Sequence, residues 1–259
     1  MNDRNDQVIL EGMTSLSALL NSSPVNDRKI QTVWIDEAKK TSRRAEIGFL
    51  RAKSAELGFG LEFVSKERID SVATGQTSGW ILGFWTDRTL PTLTEDKIEP
   101  NGFYVYLEGM EDPYNFGNAL RSLYAAGVNG IVLPPRNWMS AAGVVARASA
   151  GTSERTTIYT CPSDTVGDLF HAAGYKILCA GIRDSVSIFD QDFPFPVLLV
   201  IGGEKRGISG KLLETADQIV RIDYGRAFRG SLSASSAAAV LAFEQIGRAS
   251  CRERVCEAV

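Results

Sequence analysis

The alternation of apolar and polar positions is most regular around an apolar run, Val197–Ile201, that stops at a pair of glycines. A charged triplet follows, then Gly207, and a segment of helical period begins at Ser209. An apolar run of about four to eight residues bounded by glycine predicts a buried strand. Paired glycines at such a strand end let backbone groups approach a ligand closely, and ligands of α/β sheets bind beyond these ends. The pattern therefore predicts a strand, a ligand-contacting turn and a helix.

Two further stretches have the same order of strand, small or polar turn, and helix. Tyr104–Leu107 leads into a helical pattern that contains Arg121, and Ile222 leads through a polar turn to Ser231–Ala239. Strands and helices alternate over residues 102–245, which predicts a mostly parallel sheet with helices on both faces. The predicted strands are 103–107, 130–133, 156–159, 176–180, 197–201 and 219–222, and the predicted helices are 115–126, 141–150, 165–173, 209–216 and 233–245.

Residues 1–86 show a shorter alternation that predicts a small α/β domain with helices on a sheet. The predicted helices are 14–20, 42–58 and 66–73, with Ser65 as the N-cap of the last, and the predicted strands are 31–35, 61–64 and 80–84. Residues 87–101 are polar, contain two prolines and lack periodicity, so we predict a linker there.

The last residues, 246–259, contain the string IGRASCRERVC, which resembles one reading frame of a common sequencing-adapter oligonucleotide. We interpret this tail as artefactual and leave it out of the fold prediction, with a native helix expected to continue past Gln245. A genuine basic tail is the alternative.

The composition of the chain restricts the classes of protein to which it can belong. The chain has 259 residues, 44% apolar and 23% charged, as in ordinary globular proteins. No apolar run approaches the roughly 20 residues that span a bilayer, and the polar N-terminus is unlike a signal peptide, so we expect a cytoplasmic protein without membrane contact. The net charge of −3 excludes a polycation. A local group of cations is either a phosphate-contacting surface or a solvated helix face: Arg28, Lys29, Lys39, Lys40, Arg43, Arg44, Arg51 and Lys53.

Several kinds of site are disfavoured. The four cysteines form no CxxC pair and His171 is the single histidine, so we expect no metal site. Neither GxxxxGK[ST] nor GxGxxG follows a predicted strand, which argues against a P-loop and a dinucleotide site. GxSxG is absent too, and His171 lies near a helix end, where a cation complements the helix dipole.

Candidate polar side chains lie at the first two turns. Asn115 is predicted to cap the helix after Pro113. Arg121 lies on the same helix, and its guanidinium is suited to phosphate or to polarising a hydroxyl; a surface arginine is the alternative. Glu204 lies where the glycine turn meets the next helix, as either a cap for backbone N–H groups or an acceptor for a ligand hydroxyl.

Together these stretches resemble the motifs of the SpoU/TrmH family of S-adenosylmethionine-dependent RNA methyltransferases. The segment DPYNFGNALRSLYAAGV resembles the first motif, LLVIGGEKRGIS with ADQIVRI the second, and SLSASSAAAVLAFE the third, in matching order and spacing over residues 102–245. The N-terminal region is similar to the L30e-like substrate-binding domain, through ILEGMTSLSALL and GQTSGWILG. The family's usual histidine is absent from the second of these segments.

The resemblance implies a SPOUT fold with a C-terminal trefoil knot, a homodimer, and S-adenosylmethionine bound in the knot near the subunit interface. It implies cofactor contacts, largely through backbone groups, at Gly202, Gly203, Ile222 and Leu232. The family's catalytic motif positions correspond to Asn115, Arg121, Glu204, Ser231 and Ser233. Ser233 stands where the family usually has asparagine. Serine keeps a donor and an acceptor, but on a shorter side chain.

The function implied is methyl transfer to a ribose 2′-hydroxyl of structured RNA, rRNA first and tRNA second. Arg121 would orient and polarise the hydroxyl, with Glu204 and Asn115 holding it in place. The N-terminal domain would bind RNA by shape and backbone. A non-catalytic RNA-binding paralogue, indicated by Ser233, and an RNA base methyltransferase both stay open. A dehydrogenase is disfavoured by the missing glycine fingerprint.

Overall fold

The computed structural model describes residues 7–21, 25–73, 79–136, 138–190 and 195–256. The chain forms two compact units. The first, the N-terminal unit, consists of Met1–Thr89 with Asn137–Arg155, and the second, the sheet unit, consists of Leu90–Arg136 with Thr156–Val259. The predicted domain boundaries at 86, 101 and 245 stay a prediction about which parts fold independently. Most of the string GQTSG lies outside the described residues.

The N-terminal unit is a four-stranded sheet with helices. With all elements numbered along the chain, it contains β1 (Gln7–Glu11), α1 (Gly12–Leu20), β2 (Ile30–Asp36), α2 (Arg44–Leu57), β3 (Gly60–Val64), α3 (Lys66–Asp70), β4 (Ile81–Thr86) and α5 (Ala142–Ala148). The strand order is β1–β4–β2–β3, in which only β2 and β3 are parallel. Its predicted helices and strands are confirmed within a few residues, and β1 was not predicted.

Helix α5 belongs to the core of the N-terminal unit. Its Ala146 is fully buried in one apolar cluster with Leu16 of α1 and Ile35 of β2, and the helix packs against β1 and α1. The sequence predicted this helix at 141–150 but not its partner. An apolar stripe shows that a helix face is buried, not which sheet buries it.

Arg28, one of the predicted phosphate-contacting cations, is a buried structural residue. Its fully buried side chain donates from Nε to Glu154 Oε2 at 3.0 Å and from Nη1 to the Thr86 carbonyl at 2.9 Å. Asn26 Nδ2 donates to the same carboxylate oxygen at 2.7 Å. A guanidinium without water needs such partners, so the prediction was wrong for Arg28. Other members of the group are exposed, namely Lys29, Lys39, Lys40, Arg43, Arg44 and Arg51.

The sheet unit contains β5 (Phe103–Glu108), α4 (Pro113–Ala125), β6 (Gly130–Leu133), β7 (Ile158–Thr160), α6 (Val166–Ala172), β8 (Lys176–Ala180), β9 (Val186–Ser187), β10 (Val197–Gly202), α7 (Gly210–Glu214), β11 (Gln218–Arg221) and α8 (Ala234–Cys256). The strand order is β7–β6–β5–β10–β8–β11–β9, and every neighbouring pair is parallel. The predicted α/β class with a mostly parallel sheet is confirmed. The short strand β9 was not predicted.

Both faces of this sheet are covered by helices. On one face, Tyr104 and Tyr106 of β5 pack with Phe170 of α6 and Leu212 of α7, and none of the four side chains is more than 1% exposed. Neighbouring side chains of a strand point to opposite faces, so the remaining apolar residues of β5 face the other way. On that second face α8 contacts β10 and packs against α4.

Strand β11 lies between β8 and β9, although those two strands are joined only by residues 181–185. Its Val220 pairs with Ala180 on one side and Val186 on the other. The trefoil knot expected in this region stays a prediction. Helix α8 continues past the predicted end at 245 to Cys256, and the artefactual origin of 246–259 also stays a prediction.

Candidate active site

The turns after β5 and β10 touch through glycine backbones. A Cβ at Gly203 would come within 2.0 Å of the Gly109 carbonyl oxygen, and a Cβ at Gly202 within 2.3 Å of the Gly207 carbonyl carbon. Gly109 has a φ of +77°, which side chains rarely allow. The glycine pair thus allows a close approach between the chain's own backbone segments, and the approach to a ligand that the sequence predicted stays a prediction.

Glu204 lies at the tip of a tight turn that this approach creates. Gly207 N–H donates to the Gly203 carbonyl at 2.9 Å and closes the turn. The exposed residues 204–206 lie between the two glycines, so the Glu204 side chain projects beyond the end of β10. This end of the strand is the edge at which α/β sheets bind ligands.

A cavity of about 480 Å³, termed the large cavity, opens beside this turn. The structure brings together in its wall all four predicted cofactor-contacting residues, namely Gly202, Gly203, Ile222 and Leu232, with Glu204 and Ser231 beside them. Apolar side chains complete the wall, including Ile201, Val220 and Leu241. The volume falls within the range of about 300–1,000 Å³ that is typical of small-molecule sites.

Hydrogen bonds fix the loop that borders the large cavity. Leu232 N–H donates to Tyr224 Oη at 3.2 Å, which leaves the carbonyl as the backbone group of Leu232 for a ligand. Arg221 Nε donates to Asp223 Oδ1 at 2.7 Å. Hydrogen bonds from Ser187 and Arg221 hold the pKa of Asp223 below its ordinary value. Asp223 therefore adds a carboxylate to the cavity wall at neutral pH.

Asn115 connects the first turn to the second and third. Its Nδ2 donates to Glu204 Oε1 at 2.8 Å, and its Oδ1 accepts from Ser235 Oγ at 3.2 Å. Ser235 Oγ lies 3.0 Å from Ser233 Oγ. Ser233 Oγ also donates to Ser236 Oγ at 3.0 Å, and either hydroxyl can be the donor in the contact between Ser233 and Ser235. A continuous hydrogen-bond chain thus runs from Ser233 through Ser235 and Asn115 to Glu204.

Ser233 caps α8 rather than lining a cavity. Its Oγ accepts from Ser236 N–H at 3.2 Å, which satisfies one of the free donors at the helix start. Ser235, only 9% exposed, makes the contact with Asn115 and was not predicted. The spacing of serines before α8 shows no difference that would mark Ser235.

A smaller cavity of about 330 Å³ lies on the other side of Glu204, which lines both cavities. Asn115 lines it too, along with Lys205, which forms an ion pair with Glu111 at 2.8 Å. The hydrogen bond and charge of Lys205 lower the pKa of Glu111. The N-cap of α4 is Asp112, whose Oδ1 accepts from Asn115 N–H at 2.7 Å, so the prediction that Asn115 caps this helix was wrong.

Arg121 lies apart from these groups. It is exposed on α4 and lines neither the large nor the smaller cavity. No side chain or backbone group among the described residues forms a hydrogen bond or ion pair with its guanidinium. The structure therefore brings together Asn115, Glu204 and Ser231 at the two cavities, and leaves Arg121 outside them in a single chain.

His171 has a structural role. Its Nε2 lies 3.0 Å from Asp217 Oδ2, which also accepts from Ile177 N–H at 2.8 Å. Lys176 forms an ion pair with the same carboxylate at 3.0 Å. Burial raises the pKa of Asp217, but the hydrogen bonds from these three donors outweigh it, and the net shift is downward. The group ties the end of α6 to β8 and the start of β11.

Within the described ranges, no three His, Cys, Asp or Glu side chains are grouped so that they could hold a metal ion. In the same part of the chain, no helix is both long and apolar enough to cross a membrane.

Curated relatives match the chain over nearly its whole length. YacO of Bacillus subtilis (strain 168), a protein assigned to the TrmH family of tRNA/rRNA methyltransferases, is 27% identical over 250 residues, covering 94% of this chain and 96% of YacO. The 23S rRNA (guanosine-2′-O-)-methyltransferase RlmB of Shewanella oneidensis is 26% identical over 246 residues, covering 93% of this chain and 97% of RlmB.

Solved structures share the fold. The crystal structure of an RNA 2′-O ribose methyltransferase aligns with a TM-score of 0.78 at 20% identity, covering 95% of this chain and 90% of that one. An AdoMet-bound rRNA methyltransferase from Sinorhizobium meliloti aligns with a TM-score of 0.74 at 23% identity, covering 94% and 88%. These likenesses show that the chain shares the fold of these two methyltransferases.

The profile of the SpoU rRNA Methylase family matches residues 102–243. This range covers more than half of the chain and contains all three motifs and both cavities. The chain belongs to the SpoU rRNA methylase family.

Proposed function

We propose that the protein transfers the methyl group of S-adenosylmethionine to a ribose 2′-hydroxyl of structured RNA, with rRNA as the first candidate and tRNA as the second. The observation that carries this proposal is the large cavity, whose wall contains Gly202, Gly203, Ile222 and Leu232 together. Their motifs are separate in sequence, and a shared cavity is what a common ligand requires. Similarity to RlmB, a guanosine-2′-O-methyltransferase of 23S rRNA, supports the RNA class.

The large cavity has the chemistry that S-adenosylmethionine needs. Its apolar wall suits the adenine and ribose carbons, and the backbone groups at Gly202, Ile222 and Leu232 suit the polar edge of an adenine. Glu204 and Asp223 place two carboxylates beside the cavity, and negative charge stabilises a sulfonium cation. Similarity to the AdoMet-bound Sinorhizobium structure supports the same cofactor here.

The chain's contribution to the reaction is positioning and polarisation. S-adenosylmethionine supplies a methyl carbon on a sulfonium: when the ribose O2′ bonds to that carbon, the C–S electron pair stays on sulfur, S-adenosylhomocysteine leaves, and the hydroxyl proton passes to water. Glu204 lines both cavities, and its hydrogen-bond partner Asn115 lines the smaller one, so the hydroxyl would meet the methyl group beside this pair. The hydrogen-bond chain through Ser235 holds the Asn115 amide in one orientation, and orientation of this kind accelerates transfer.

We propose that the protein is a homodimer and that Arg121 acts at the site of the second copy. Arg121 lies outside both cavities of its own chain. It can therefore orient a hydroxyl only at a cavity of another chain. Helices α4 and α8, which pack together, expose Tyr124 at 40% and Phe243 at 50%. Exposed aromatic side chains on one helix pair are the composition expected of a protein interface.

We also propose that the N-terminal unit resembles the L30e-like domains and binds RNA through its backbone phosphates. Lys39, Arg44 and Arg51 are exposed on this unit, and such cations contact phosphates without reading sequence. Binding should therefore weaken steeply with added salt. An affinity that does not change with salt would refute this role.

The experiment that tests the function is methyl transfer from [methyl-³H]S-adenosylmethionine to unmodified 23S rRNA and tRNA made by transcription. The product is digested and its nucleosides are separated. Label in a 2′-O-methylnucleoside supports the proposal, and label in a methylated base would replace it with base methylation. A protein that binds the cofactor and RNA but transfers no label to either RNA would be a non-catalytic relative.

Arg121→Ala tests the division of roles. Transfer should fall by at least about 100-fold because the hydroxyl loses its orienting cation, while calorimetric titration should give an unchanged affinity for S-adenosylmethionine. Loss of cofactor binding in this variant would contradict the assignment of Arg121. Wild type mixed with Arg121→Ala should form dimers in which one site is complete.

A further inference from the structure

An exposed aromatic ring stands at the mouth of the large cavity and is used by none of the roles above. It belongs to Phe228, in residues 223–230, which we term the mouth loop. Phe228 lines the cavity and is 57% exposed. More than half of its surface is therefore open to a ligand at the cavity mouth.

The ring is held in place despite its exposure. Tyr224 contacts it edge-on, with ring centroids 5.6 Å apart and an interplanar angle of 65°. Tyr224 is itself tied down by the Leu232 N–H. A Cβ at Gly230 would come within 2.6 Å of Phe228 Cζ, so the ring lies directly against the loop backbone at a position without a side chain. Its accessible surface therefore faces away from the loop in a fixed direction.

Positive charge surrounds the ring. Arg226 and Arg229 are exposed members of the mouth loop, and Arg229 lines the large cavity. Neither guanidinium has an ion pair or a hydrogen bond to any residue that the structure describes. The loop's single carboxylate, Asp223, is already bound by Arg221. The mouth loop thus combines a fixed aromatic surface with two cations that flank Phe228 in sequence.

We propose that the mouth loop binds an unpaired nucleotide of the RNA, with the base stacked on Phe228 and the flanking phosphates on Arg226 and Arg229. This inference rests on the proposed function. Every base has a π face that stacks on aromatic rings, and arginines beside such a ring bind the backbone. In a duplex those faces are covered by neighbouring base pairs. The loop therefore selects single-stranded or flipped-out nucleotides and places one beside the methyl donor.

Binding of a short RNA tests the stacking without any methyl transfer. The probe is a fluorescein-labelled 12-nucleotide oligouridylate, followed by anisotropy, and compared with the same strand paired to oligoadenylate. Phe228→Ala should weaken binding of the single strand about tenfold and change duplex binding less than twofold. Phe228→Trp should restore single-strand binding. Phe189→Ala, at a phenylalanine 39% exposed that lines neither cavity, is the matched control and should have no effect.

Two further variants test the geometry and the charge. Gly230→Ala keeps Phe228 but displaces its ring, so it should reproduce most of the loss seen in Phe228→Ala. The double variant Arg226→Ala/Arg229→Ala should lower the slope of log affinity against log salt by about 1.4, which is about 0.7 for each phosphate contact of a single strand. The double variant Arg226→Lys/Arg229→Lys, which keeps both charges, should keep the slope of the wild type.

If the cofactor or a second chain, rather than RNA, covered the ring, the results would differ. A Phe228→Ala variant that loses S-adenosylmethionine affinity as strongly as RNA affinity would mean that the ring stacks on the cofactor. A variant that becomes monomeric in sedimentation would mean that a second chain covers the ring. Either result, or unchanged oligouridylate binding, overturns the proposal. A wild type that binds oligouridylate but not S-adenosylmethionine would instead overturn the proposed function and leave this test intact.

Discussion

The backbone contact between Gly203 and Gly109 allows a quantitative test of the fold. A Cβ placed at position 203 would lie 2.0 Å from the Gly109 carbonyl oxygen and 2.3 Å from its carbon. A carbon normally approaches a carbonyl oxygen no closer than about 3.3 Å. Gly203→Ala must therefore move the two turns apart by about 1.3 Å.

No side-chain rotation relieves this overlap, because both residues are glycines. The movement has to come from the ends of β5 and β10, where Gly202 is in register with Glu108. Overpacking of a core typically costs about 1–3 kcal/mol, and a clash between backbones belongs at the upper end. With about 2–4 °C of melting temperature per kcal/mol in a chain of this size, Gly203→Ala should lower Tm by about 6–12 °C.

The assay is thermal unfolding followed by circular dichroism, with Gly210→Ala as the matched control. Gly210 begins α7, and a Cβ there would have nothing within 4 Å. Alanine is favoured over glycine in a helix by up to about 1 kcal/mol, so the control should raise Tm by at most about 4 °C. A Gly203→Ala protein that melts within 2 °C of the wild type, on a scale of about 2–4 °C per kcal/mol, would refute the contact.

Three further results are expected. Glu154→Gln should lower the free energy of unfolding by about 3–5 kcal/mol in urea titrations, because Arg28 loses the buried one of its two carboxylate partners and keeps only the exposed Asp87; Glu46→Gln, in an exposed ion pair, should leave it nearly unchanged. The folded-state pKa of Asp217 is lowered, so its carboxylate stabilises the fold above the unfolded-state pKa of about 3.9, and this contribution is lost as pH falls through the folded value. The difference in Tm between wild type and Asp217→Asn should accordingly shrink below about pH 4, and a constant difference would contradict the linkage. Ser235→Ala should reduce kcat about tenfold by releasing the Asn115 amide, with S-adenosylmethionine affinity within about twofold in calorimetry; equal losses in both would indicate a structural role.

The sequence allowed the sheet unit to be predicted well, because its signals are local. An apolar run such as Val197–Ile201 and the glycines after it occupy adjacent positions, and β10 ends within one residue of its predicted end. The cofactor-contacting residues were implied by the family resemblance rather than by the hydrophobic pattern, and parallel strands place their carboxyl ends at one edge of the sheet. The four predicted cofactor-contacting residues therefore lie together.

The predictions failed where the burial or the placement of an element depends on residues that are distant in sequence. Arg28 was expected among the surface cations, and the partner that allows its burial, Glu154, lies 126 residues away in sequence. The position of α5 in the N-terminal unit and of β11 between β8 and β9 depends on crossovers that hydrophobic period does not encode. Ser233 caps α8 and Ser235 lies in the first turn of that helix, a difference that the spacing of the serines does not encode.

The placement of β11 has a consequence for synthesis on the ribosome. Residues 218–241 supply β11, the mouth loop and the part of α8 that completes the large cavity. At about 5–20 residues per second, translation of this stretch lasts about 1–5 s. Until then the nascent sheet has β8 and β9 with no strand between them. A ribosome that stops early in this stretch therefore releases a chain that contains the glycine turn after β10 but lacks the part of the cavity wall between Val220 and Leu241.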